Sequence, residues 1–131
     1  MLLQRRADKK YHSAGLWTNA CCSHPKPGEQ TLAAAERRLF EEMGFNTRLT
    51  KAFEFIYKAP FENGLTEHEF DHVFIGTYDG DLFPDDEEVS DYCFMSLTDI
   101  KNSLQSHPQK YTEWFKIAFP KMETYLQTAV I

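Results

Sequence analysis

Apolar and polar positions fall in short blocks whose spacing draws most of the elements. Met1-Leu2-Leu3-Gln4 reads as the middle or end of a strand, with no turn residues ahead of it. A basic loop follows, and Leu16 to Ser23 reads as a second strand closed by Pro25 and Pro27. From Gln30 to Met43 the period changes. Leu32, Ala35, Leu39 and Met43 recur at spacings of three and four, which predicts a helix with one buried stripe, capped by Thr31 and stopped by Gly44. Phe53, Phe55 and Tyr57 alternate with polar residues up to Lys58, and Thr66 to Tyr78 forms the next strand. Between them Glu62-Asn63-Gly64 carries the Asn-Gly hairpin signal. Asp79-Gly80-Asp81 turns the chain, Pro84 to Glu88 is an acidic loop, and Asp91 to Met95 is a short strand. Ser96-Leu97-Thr98-Asp99 fits a capping box, and a last helix spans about Thr112 to Gln127, with Pro120 expected to kink or split it. Strands mixed with one helix, then helices at the end, predict an α/β or α+β sandwich of one mixed sheet between helices.

At 131 residues the chain is expected to be a single domain (residues 1–131) that can bury roughly two thirds of its unfolded surface without staples. No apolar run reaches the length of a membrane span, and MLLQRRADKK is too short an apolar start for a secretory signal. Three cysteines, two of them adjacent, are no disulfide framework, and point to a reducing, cytoplasmic compartment. The net charge of −6 argues against general nucleic-acid binding. Its distribution is uneven: residues 1–27 carry five basic residues and one acid, the rest nine basic and nineteen acidic residues. A basic start on an acidic body suits a small anionic ligand with a divalent cation on the acidic side, or simply a solvated charge run.

Strand geometry sharpens the candidate chemistry. Residues i and i+2 share a face, so Cys22 and His24 point the same way if that segment stays extended. Glu67, Glu69 and Asp71 share a face, with His68, Phe70 and His72 on the other. Three acids on one face repel unless paired, and a divalent metal is an economical partner; a solvent-facing acidic stripe is the alternative. Cys93 reads as core, and His12 and His107 as solvated loop residues. Arg38 and Glu42, four apart, read by themselves as an ion-paired solvent face of the helix.

Two longer patterns change that picture. Ser23-His24-Pro25-Lys26-Pro27-Gly28-Glu29, seven further residues, then Arg37-Arg38-Leu39-Phe40-Glu41-Glu42-Met43-Gly44 resembles a Nudix box, except that Ser23 replaces its opening Gly and Arg38 the Glu of its Arg-Glu pair. Both departures fit a narrower resemblance. Trp17-Thr18-Asn19, Cys22-Ser23-His24-Pro25, Glu67-His68-Glu69 and Arg5-Arg6-x-x-x-Lys10 are similar, in order and spacing, to the signatures of type I isopentenyl-diphosphate isomerases. The resemblance implies a Nudix-like domain that moves a double bond, turning isopentenyl diphosphate into dimethylallyl diphosphate through a tertiary carbocation. It assigns Cys22 and Glu69 as the proton-transfer pair and Tyr57 as the assistant of Glu69. Trp114 becomes the π-face for the cation, and Arg6, Lys10 and Arg38 the holders of the diphosphate. His24, Glu67 and Glu69 are implied as ligands of Mn2+ or Zn2+, and Glu42 as carrier of a Mg2+ on the diphosphate. Trp17 is expected to pack and Asn19 to lend polar support.

The same resemblance implies that the family's domain begins a few dozen residues before Met1. The chain is therefore expected to be N-terminally shortened, with three of five metal ligands and an exposed edge on its first strand, which leaves a dimer open. Two other readings stand beside the isomerase: a non-catalytic diphosphate-binding homologue, and a Nudix-type diphosphate hydrolase using Glu29, Glu41 and Glu42.

Overall fold

The structure is a computed structural model describing residues 1–10, 13–21, 25–60 and 66–129, with 57–60, 66–70 and 129 described as backbone only. Five strands and three α-helices follow in the order β1 (Leu2–Arg6), β2 (Trp17–Asn19), α1 (Thr31–Met43), β3 (Thr50–Pro60), β4 (Thr66–Ile75), β5 (Val89–Phe94), α2 (Leu97–Ser106) and α3 (Glu113–Ala129), with a 3₁₀ turn at Pro108–Lys110. The class is α+β. The described strands form two antiparallel sheets, β2-β1-β5 and β3-β4; the parallel component is an isolated bridge between Trp17 and Tyr111.

β1 is not an edge, contrary to expectation: β2 pairs with it on one side and β5 on the other. Both of its faces are covered as well: Leu3 packs into the main core on one, and Gln4 and Arg6 are buried on the other. β2 is shorter than the apolar run suggested. After Asn19 the side chains take over from the ladder: Gln4 Nε2 donates to the Ala20 carbonyl at 2.7 Å, and Asn19 Nδ2 donates to the Cys21 carbonyl. β3 runs on to Pro60, whereas β4 stops at Ile75. Beyond it the Thr47 hydroxyl donates to the Thr77 carbonyl, and the Tyr78 ring stacks on Phe45 with centroids 4.0 Å apart.

The cap of α1 is Gln30, not Thr31. Gln30 is extended and makes no side-chain cap, and Thr31 already lies inside the helix. Its buried face is Ala34, Leu39, Glu42 and Met43, while Leu32 is exposed, so the buried stripe includes a carboxylate that the apolar count missed. Gly44 ends it in the left-handed region, φ 75°, with its N–H donating to the Phe40 carbonyl at 2.9 Å. Ser96 caps α2 by accepting from the Asp99 N–H at 3.1 Å. α3 is continuous through Pro120, which lies on its exposed side. The main core joins Leu3, Ile100, Tyr111, Phe115, Phe119 and Met122, so β1, α2 and α3 share it; Leu39, Met43, Phe45 and Val89 form a second cluster. Among the described residues no helix is long and apolar enough to cross a membrane.

Candidate active site

A cleft of about 570 Å³ opens beside the β3–β4 hairpin, with Cys21, Arg38, Phe55, His72, Trp114 and Phe119 among its lining residues. Its walls are largely apolar, as a pocket for a hydrocarbon requires. Trp114 is 5% exposed and packs with Phe55 against Phe53, Val73 and Ala118. The guanidinium of Arg6 lies over its indole, 5.2 Å from the ring centroid. Arg6 is thus a buried residue of β1, 7% exposed, rather than a surface cation.

A hydrogen-bonded relay leads to Asn19, one of the residues lining the cleft. Thr112, just ahead of α3, donates its hydroxyl to Thr18 at 2.9 Å, and Thr18 donates to Asn19 Oδ1 at 2.8 Å. Asn19 in turn grips the Cys21 carbonyl. Thr18 and Thr112 are almost fully buried. The Trp-Thr-Asn stretch therefore fixes the chain leading to residue 22 onto the same helix that carries Trp114. Cys22 and His24 themselves lie outside the described residues.

Glu67, Glu69 and Tyr57 are described by their backbone. Tyr57 stands opposite Glu69 in the β3–β4 ladder, and Ala59 opposite Glu67. Glu67 and Glu69, two apart on one strand, share a face. Among the described residues no group of three His, Cys, Asp or Glu is gathered to hold a metal; the expected set of His24, Glu67 and Glu69 falls outside the described side chains. His72, on the same strand, meets Glu54 instead, at 3.3 Å.

Around α1 the described acids and bases meet one another. Glu42 is 3% exposed. Its Oε2 accepts from the Cys21 thiol at 3.1 Å, and its Oε1 lies 3.7 Å from Arg38 Nη2. Burial pushes the Glu42 carboxyl above the ordinary range, against the opposing pull of the Cys21 hydrogen bond and Arg38. A hard oxygen donor whose charge is this loosely neutralised suits a divalent cation that keeps its other ligands as water and phosphate oxygens. Arg38 donates to Glu41 and to Glu88, both at 3.2 Å. Lys10 donates to the other oxygen of Glu88. Burial works against the ionised Glu88 carboxylate, but hydrogen bonds from Lys10 and Arg38 outweigh it and hold its pKa below the ordinary value. In the sequence Glu88 reads as one of a run of loop acids. The available signal was its place at the end of that run, directly before buried Val89. Part of the charge asymmetry along the chain resolves here as well, since Lys9 and Lys10 pair with Glu87 and Glu88.

Glu29 and Arg37 form a separate pair on the outer side of α1. Arg37 Nε and Nη2 reach the two oxygens of Glu29 at 2.9 and 3.0 Å, and Arg37 Nη1 reaches Glu41 at 2.7 Å. These two of the three acids that a hydrolase would use are engaged in holding Arg37.

Comparison with known proteins gives the family. The NUDIX domain family model matches residues 1–115. An isopentenyl-diphosphate Delta-isomerase of Pectobacterium atrosepticum is 46% identical over 127 residues, 97% of this chain and 71% of that protein. Isopentenyl-diphosphate Delta-isomerase 2 of Photorhabdus laumondii is 53% identical, over 88% of this chain and 66% of its own length. Isopentenyl-diphosphate Delta-isomerase 2 of Aromatoleum aromaticum is 49% identical, over 87% and 60%. The chain thus spans about 60–71% of the length of these three relatives. A MutT protein from Methanosarcina mazei superposes with a TM-score of 0.76 over 94% of this chain and 82% of its own, at 21% identity, a likeness of fold. On these matches the chain belongs to the Nudix family and, within it, to the family of isopentenyl-diphosphate Delta-isomerases.

Proposed function

We propose that this chain interconverts isopentenyl diphosphate and dimethylallyl diphosphate, as a single domain acting in the cytoplasm. The observation that carries the reading is one cleft lined by both Trp114 and Arg38, with Lys10 linked to Arg38 through Glu88. An indole and an anion-binding guanidinium on one apolar cleft suit a ligand with a hydrocarbon end and a diphosphate end.

The reaction adds a proton to one carbon of an alkene and removes a proton from a carbon nearby. Cys22 and Glu69 serve as the two proton-transfer groups, and either assignment balances: one gives its proton to the terminal carbon as the π electrons form the new C–H bond, and the other takes a proton from the CH2 on the far side of the cationic carbon, whose C–H electrons close the new double bond. Tyr57, opposite Glu69 in the ladder, would hydrogen-bond that carboxyl. Trp114 offers a π-face to the tertiary cation without capturing it as a nucleophile would. The apolar walls keep out the water that would quench it. Lys10 and Arg38 hold the diphosphate, with Arg6 beneath Trp114 contributing positive charge. Glu42 would hold a magnesium ion on the diphosphate, and His24, Glu67 and Glu69 a manganese or zinc ion. When bound, these ions neutralise phosphate charge and sharpen the acidity of a nearby carboxylic acid.

The test is incubation with isopentenyl diphosphate, Mg2+ and Mn2+ in heavy water, followed by proton and phosphorus NMR. Dimethylallyl diphosphate carrying deuterium is the expected product. Inorganic phosphate in its place would favour the hydrolase, and unchanged substrate without exchange would overturn the isomerase reading.

A further inference from the structure

Lys10 and Arg38 come from different elements, the loop after β1 and the middle of α1. Like charges at one site repel, so something has to hold them together before an anion arrives. One carboxylate does so: Glu88 Oε2 accepts from Lys10, and Glu88 Oε1 accepts from Arg38 Nη2 at 3.2 Å. Glu88 is itself held by backbone bonds on both sides. Its carbonyl accepts from the Ala7 N–H at 3.0 Å, its N–H donates to the Asp85 carbonyl at 3.0 Å, and Val89 behind it is buried. The loop in turn is pinned to the end of α1, where Phe83 N–H donates to Met43 and Asp85 N–H to Glu42. An ammonium has three donors, so the bond from Lys10 to Glu88 does not use up its capacity for a ligand.

We infer that Glu88 is a positioning residue of the diphosphate site, a fixed carboxylate that sets the spacing of Lys10 and Arg38 without touching the ligand. This rests on the assignment of those two cations to the diphosphate under Proposed function. The inference makes a prediction opposite in sign to bulk electrostatics. Neutralising an acid beside an anion site leaves the site more positive and tightens anion binding. Neutralising the acid that holds the two cations in register loosens it, because each then spends side-chain freedom on binding.

The experiment is calorimetric binding of inorganic pyrophosphate with Mg2+ to the full chain and to Glu88→Gln, Lys10→Gln, the double variant and Glu87→Gln. Glu88→Gln is expected to weaken binding about tenfold, and to add little once Lys10 is already Gln. Glu87→Gln, which loses only the exposed pair with Lys9, is expected to stay within about twofold. Binding unchanged or tightened in Glu88→Gln overturns the inference, as does multiplicative loss in the double variant or no pyrophosphate binding by the parent chain. The readout is binding, not turnover. A chain that binds pyrophosphate in this Glu88-dependent way but isomerises nothing sinks the proposed reaction and leaves the inference standing.

Discussion

The guanidinium of Arg6 lies over the indole of Trp114, 5.2 Å from its ring centroid, and so ties β1 to α3 across the site. Both residues are more than nine-tenths buried. A desolvated cation–π contact is worth up to about 2 kcal/mol. Arg6→Met keeps the length and removes the charge, and is expected to cost about 1–2 kcal/mol in urea unfolding. In a Trp114→Leu background the same change should cost about 1 kcal/mol less. Additive losses in that cycle would show that the two side chains are neighbours without coupling.

How much of this was legible beforehand depended on whether the determinant was local. Gly44 as a helix stop and Ser96 as a cap act within one turn, and both hold. The alternation of Phe53, Phe55 and Tyr57 marked β3. The relation between Lys10 and Arg38 was out of reach, because it runs through Glu88, which is 50 or more residues from either. Glu42 reads as a solvent-facing partner of Arg38, yet it is buried where Cys21 and the loop of residues 82–89 meet the end of α1. The roles of the proton-transfer residues came from motif resemblance, since the strand period does no more than put Cys22 on the face of His24.

Gly44 does more than end the helix. A Cβ there would stand 2.4 Å from the Phe83 carbonyl oxygen and 2.6 Å from the Phe83 Cβ, at φ 75°. Gly44→Ala therefore combines left-handed strain with displacement of the loop that carries Glu88, and is expected to cost about 2–4 kcal/mol. Thermal unfolding measures it. A loss below about 1 kcal/mol would mean that the loop yields without consequence.

Thr18 and Thr112 are buried, so removing the middle of the relay leaves the Thr112 hydroxyl proton without its acceptor and Asn19 Oδ1 without the Thr18 donor. Thr18→Val keeps the shape and is expected to destabilise by about 1–3 kcal/mol. Thr18→Ser keeps the hydroxyl and should recover most of that loss. Equal losses in the two variants would assign the effect to packing of the Thr18 methyl group.

Glu29 gives the acid limb. The Arg37 fork, helped by the Lys26 N–H, holds its carboxyl at about 2 against an ordinary 4.5. A depressed folded pKa adds stability that is complete above the unfolded value and is lost as pH falls through the folded one. This share of stability is therefore expected to fade between about pH 4.5 and 2. Arg37→Gln should return Glu29 toward its ordinary value and flatten that limb. Carboxyl carbon NMR titration of both forms checks it, and a Glu29 midpoint that is the same in the two would overturn the assignment.

Glu42 carries the opposite sign. Burial raises its pKa, so the folded state favours the protonated form, and the charge costs stability as pH rises past the unfolded value. Gln is neutral, nearly isosteric, and still accepts from the Cys21 thiol through its amide oxygen. Arg38 keeps Glu41 and Glu88. Glu42→Gln is therefore expected to leave the metal-free fold as stable as the parent or more so at neutral pH. The same change removes the carboxylate proposed to hold magnesium, so isomerase activity should fall at least a hundredfold, with the remainder needing much higher Mg2+. A charge kept at a cost to the fold is the mark of a functional group. Thermal unfolding alongside a Mg2+ titration of activity separates the outcomes. A variant that is destabilised yet keeps its Mg2+ response would make Glu42 a structural acid paired with Arg38.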